Sequence, residues 1–87
     1  MEVHKAISAH SKKQHAAVQE FLRLEAEREA AIDSAVMLCL QHQPFSVDSI
    51  NMTTKQINAL SKYGITAERK YVTEEMVREY ASRLANK

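Results

Sequence analysis

From Glu2 to His42 the chain runs 41 residues without a glycine or a proline, and Pro44 stands just beyond. Such a stretch has nowhere to turn, so it commits to one long helix that stops near the proline, whose ring and missing N–H exclude it from a helix interior. Unbroken, this helix spans roughly 60 Å at 1.5 Å per residue, whereas a compact globule of this chain length is only about 30 Å across. The chain is too small to contain its own longest helix. Something must cover the excess, or it frays.

Placed on a wheel at about 100° per residue, Val3, Ile7, Val18, Phe21, Ile32, Ala35, Val36 and Cys39 share one stripe, with Lys5, Lys12, Arg23 and Glu27 on the other side. Apolar density is uneven along it. Before Val18 only Met1, Val3 and Ile7 are large and apolar, while Val36 to Leu40 is apolar on almost every side. The reading is one helical domain over 1–87, with 1–17 an overhang or dimer arm and 18–87 the core.

Pro44 and Gly64 are the single proline and glycine among 87 residues, too little punctuation for a sheet-rich domain. Twelve alanines favour helix and allow helices to approach closely. After the break, Ser46 reads as an N-cap with Phe45 and Ile50 as a hydrophobic staple, and Val47, Ile50, Ile57 and Leu60 form the buried side of the helix it starts. Tyr63-Gly64 ends that helix. A second start signal lies inside it, since Thr53 and Gln56 fit a capping box and Met52 and Ile57 a staple. The segment 47–62 is thus one kinked helix or two short ones. Residues 65–72 lack a helical period and read as an extended connection or a short strand. Thr73 then caps a last helix with Met76, Val77, Tyr80, Ala81 and Leu84 on one face and Glu74–Arg78 and Glu79–Arg83 pairs outside. The fold class is all-α: a long N-terminal helix plus two or three shorter ones, a bundle completed by dimerisation.

Twelve basic against eleven acidic side chains give a net charge of +1, too little to imply nucleic-acid or membrane binding by electrostatics alone, so any such role must rest on local clustering. The lone cysteine, Cys39, cannot form an internal disulfide. The N-terminal residues lack a signal-peptide core, and the longest apolar run, Ala35 to Leu40, is too short to cross a bilayer. The expected compartment is the cytoplasm, without membrane attachment.

Few residues invite chemistry. His4, His10 and His15 are close in sequence, but along a straight helix His4 and His15 lie about 16 Å apart and His10 points elsewhere, so they cannot share one ion within a chain. Cys39 and His42 offer a thiol and a base three residues apart, yet the cysteine belongs to the apolar stripe and no oxyanion site accompanies it. Glu25, Glu27 and Glu29 read as a solvated face. No enzyme, metal or cofactor is expected.

The informative polar residues interrupt the stripe: His10 and Gln14, then Glu25 and Arg28. In a pair of long helices they would form polar layers that fix register, Glu25 and Arg28 satisfying each other or their symmetry mates. The predicted dimer seam is therefore Val3, Ile7, His10, Gln14, Val18, Phe21, Glu25 and Arg28, and the predicted function is a non-enzymatic, self-associating module in protein interaction. The alternative is a small helix-turn-helix-like DNA-binding protein. Its face would be Asn51, Lys55, Asn58 and Lys62 on one helix side, extended by Arg69 and Lys70, since amides and cations so arranged suit a major groove.

The segments His4-Lys-Ala-Ile-Ser-Ala-His, Ser61-Lys-Tyr-Gly-Ile and Arg69-Lys-Tyr-Val-Thr resemble those of a family of short uncharacterised proteins of Bacillus-type bacteria, over most of the chain. The resemblance implies a bacterial cytosolic origin. It carries over no activity and no functional residue.

Overall fold

A computed structural model describes the backbone of residues 2–86 and the side chains of residues 15–86. Three α-helices follow in the order α1 (Glu2–Leu40), α2 (Asp48–Leu60) and α3 (Glu74–Ala85), and a 3-10 turn over Ser61–Tyr63 continues α2. Among the described residues there is no strand.

The stop of α1 is built from backbone. His42 takes the left-handed conformation at φ 58°, its N–H donates to the Cys39 carbonyl at 3.1 Å, and the Gln43 N–H donates to the Leu38 carbonyl at 2.8 Å. This pair of bonds is a Schellman motif, with histidine where glycine usually sits. Pro44 follows, so the chain cannot resume the same helix.

Ser46 is not the N-cap of α2: Val47 holds that position without a side-chain bond, and the Ser46 hydroxyl one residue before it accepts the Asp48 N–H at 3.1 Å. Its staple partners Phe45 and Ile50 both join the core. The internal start signal is not used: α2 runs unbroken through Met52, which is 68% exposed, and the Thr53 hydroxyl donates back to the Ser49 carbonyl. Thr54 does the same to Ile50, and a hydroxyl satisfied in this way can be buried in a helix. At the far end Gly64 takes φ 75° and its N–H donates to the Ser61 carbonyl. Thr73 accepts the Met76 N–H at 3.2 Å, and Glu74–Arg78 and Glu79–Arg83 pair along α3.

Ala35, Val36, Ile50, Val77 and Ala81 form the shared core, with Ala31, Ile32, Cys39, Phe45, Val47 and Val72 packed around it. Alanines at the crossings keep the helix axes close. Leu24 and Ile57 are also buried, and Leu24 was outside the sequence-derived stripe. Burying a leucine contributes about 1.5–3 kcal/mol, so this is a substantial anchor. The covered side of α1 is therefore displaced from the stripe, taking in Leu24 and Ala31 and leaving Val18 at its edge. Val18 is 36% exposed and Leu22 is 56% exposed. The molecule measures 61 × 20 × 18 Å, so its long dimension is that of α1.

Candidate functional site

The connection between α2 and α3 is extended, as its sequence indicates, but side chains take the place of a partner strand. The Asn58 amide donates from Nδ2 to the Arg69 carbonyl at 3.1 Å and accepts the Arg69 N–H on Oδ1 at 2.7 Å. One turn pair earlier, Asn51 donates to the Val72 carbonyl at 2.9 Å and accepts the Val72 N–H at 2.7 Å. Each asparagine thus mimics a peptide group against one residue of the connector. The spacing explains why this works. Seven residues of helix rise about 10.5 Å, and three residues of extended chain rise about 10 Å. The two ladders match, running in opposite directions.

The other wall of this cradle is α1. Arg69 pairs with Glu25 at 2.8 Å and stacks over the Phe21 ring at 5.8 Å to its centre. Arg28 donates from Nε to the Thr54 hydroxyl at 2.9 Å and from its other end to the Lys70 carbonyl at 3.2 Å. One guanidinium therefore ties α1, α2 and the connector together. Among the described residues no buried side-chain nitrogen or oxygen is left unsatisfied. Of the side of α2 that the sequence offered as DNA-facing, the two asparagines form the floor of this cradle.

Three members of the sequence-derived seam, Phe21, Glu25 and Arg28, are accordingly engaged within the chain. Glu25 and Arg28 do not satisfy each other; each has a partner across the cradle. Val18 stands at the edge, and Val3, Ile7, His10 and Gln14 carry side chains outside the described residues. Of the alternative nucleic-acid face, Asn51 and Asn58 are committed to backbone and Arg69 to Glu25, while Lys55, Lys62 and Lys70 are exposed. Lys62 lies over the Tyr63 ring at 5.2 Å. The turn that a helix-turn-helix would need near Met52 is absent from the unbroken α2.

On the outer side of α1, Arg23 donates to Glu20 and, at 2.6 Å, to Glu27. The hydrogen bonds from Arg23, with its charge behind them, hold the Glu20 carboxyl below the usual carboxylate range. Glu29 and Asp33 are exposed farther along. Cys39 and His42 line one shallow hollow with Phe45 and Arg78, but no hydrogen bond joins thiol to imidazole among the described residues. The described residues hold no group of three or more metal-ligating side chains. His15 lies 3.3 Å from the Gln19 amide; His4 and His10 carry side chains outside the described residues.

Between α1 and α3 an open hollow of about 410 Å³ is walled by Ile32, Val36, Val72, Met76 and Tyr80, with Arg28 and Arg83 at its rim. Met76 is 44% and Tyr80 50% exposed, so the predicted apolar face of α3 is only half covered, by Val77 and Ala81. No described helix is long and apolar enough to cross a membrane.

A family model described as a protein of unknown function, DUF2533, matches residues 1–83. An uncharacterised protein of Bacillus subtilis (strain 168), YpbS, is 54% identical over 83 residues, covering 95% of this chain and 98% of that protein. No solved structure matches the chain.

Proposed function

The chain belongs to the DUF2533 family, and from that premise we propose that it is a non-enzymatic helical module that self-associates through the N-terminal half of α1, forming a cytoplasmic homodimer that serves protein interaction. One observation carries this reading. α1 has 39 residues, and among its described side chains, which start at residue 15, none before Leu24 is buried. Helices in proteins owe most of their stability to packing of an apolar face rather than to propensity, so such a segment gains from a partner.

The stripe Val3, Ile7, Val18 gives such an arm a side to bury, and Leu22 widens it at the edge of the cradle. A second chain is the economical cover, because a symmetric pair satisfies both arms at once. Phe21 belongs to the cradle, so the seam is probed at Val18 and Leu22. The double substitution Val18→Asp and Leu22→Asp is expected to shift the protein from dimer to monomer in light scattering with its helix content outside the arm retained. An unchanged dimer mass would contradict the reading.

A nucleic-acid role draws less support. Its two amides already hydrogen-bond the connector, and base readout would need them free.

A further inference from the structure

Arg28 is half-buried and has no counter-charge among the described residues. Its Nε donates to the Thr54 hydroxyl at 2.9 Å and its Nη2 to the Lys70 carbonyl at 3.2 Å, and both acceptors are neutral. Five ion pairs form among the described residues, and none includes Arg28; the carboxylate one turn before it, Glu25, is taken by Arg69. Drawing a cation partly out of water without a counter-charge is costly, and a carboxylate that accepts from the guanidinium offsets that cost. Nη1 is the nitrogen left for it, since the other two are bound to protein oxygens.

The same side chain stands at the mouth of the hollow between α1 and α3. Arg28, Ile32 and Val36 follow at four-residue steps, so they lie along one line of α1 that rises about 12 Å from first to last. Val72, Met76 and Tyr80 make the facing wall, and the enclosed space of about 410 Å³ is that of a small-molecule site.

Charge at the rim selects the ligand. Arg28 and Arg83 stand there against Glu79, which Arg83 pairs at 3.0 Å, so the one positive charge left over is that of Arg28. A dianion would bring one negative charge too many beside Glu79, whereas a single carboxylate matches. A lone charge at one end of an apolar trough suits an amphiphile rather than a molecule polar throughout. Thr54 and Lys70 hold the guanidinium before any ligand arrives, so little binding free energy goes into ordering it.

We propose that the α1–α3 hollow binds a carboxylate with a medium-length alkyl tail, the head group accepting from Nη1 of Arg28 and the tail lying over Ile32 and Val36 against Met76. The site is built from described residues alone and does not use the arm, so it stands or falls apart from self-association.

The test is a titration of the full chain at neutral pH with octanoate, below its micelle-forming concentration, read by the methyl resonances of the side chains. Saturable shifts confined to Ile32, Val36, Val72, Met76 and Val77 are expected. Affinity should fall about fourfold for each methylene removed, as between octanoate and hexanoate. Octanol, which keeps the tail without the charge, should bind roughly tenfold more weakly. Equal affinity for the alcohol overturns the role of Arg28. Absent shifts, or shifts spread over exposed methyls such as those of Met37 and Met52, overturn the site.

Met76→Glu supplies a second check. Met76 is the third residue of α3 after its Thr73 cap, where glutamate completes a capping box, so the helix is kept while a negative charge enters the wall. Octanoate binding is expected to weaken about tenfold in this variant with circular dichroism unchanged. Undiminished binding in the folded variant would contradict the assignment.

Discussion

His42 sits in left-handed backbone where the helix stop would suit glycine. That conformation costs an L-residue roughly 1–2 kcal/mol, and the extra unfolded-state freedom of glycine takes back about 0.5–1 kcal/mol. His42→Gly should therefore raise stability by about 0.5–1 kcal/mol in urea denaturation. A loss would mean that the imidazole makes a contact worth more than the strain. The asparagines behave in the opposite sense. Asn51→Ala leaves the N–H and carbonyl of half-buried Val72 without their side-chain partners, at a cost of about 1–3 kcal/mol in the same measurement. At Glu20 the carboxyl is held low by Arg23, so its contribution is present at neutral pH and fades as pH falls through the lowered value. Both side chains lie at the surface, where solvent screening keeps that contribution minor.

At the scale of elements, the connector is held by α2 as a strand would be by a neighbour, but only at two residues three apart, Arg69 and Val72. The amides of Arg69 and Val72 donate to asparagine oxygens, so they should exchange with solvent much more slowly than those of Lys70 and Tyr71 between them. Uniform exchange across 69–72, read by nuclear magnetic resonance, would contradict the clamp. Thr54→Val keeps the volume but removes the acceptor of Arg28, and should loosen α1, α2 and the connector together, by about 1–3 kcal/mol. The helices themselves could be read from the chain because their signals are local: the proline after His42, the hydroxyl of Thr73 and the glycine after Tyr63 each act within a few residues. The cradle could not. Asn51 and Asn58 serve backbone groups 21 and 11 residues away, in a segment without period, and their spacing alone looks like an exposed helix face. Leu24 was hidden for a related reason, since only the position of α2 shows which side of α1 is covered. The internal capping box misled because Thr53 and Thr54 turn their hydroxyls onto carbonyls of the same helix.

For the whole molecule, the controlling fact is the mismatch between one helix and everything that packs on it. The cradle consumes Phe21, Glu25 and Arg28 within the chain and thereby moves the free part of the seam toward Val18 and the N-terminus. Among the described residues, the hollow beside Met76 and Tyr80 stays open. On the proposed reading, a second copy covers the apolar surface that the chain's own helices leave open on the arm. The direct measurement is the mass of the unmodified chain in solution at micromolar concentration, by light scattering. The account predicts twice the 9.9 kDa of one chain; a mass of one chain, unchanged as concentration rises, would contradict it.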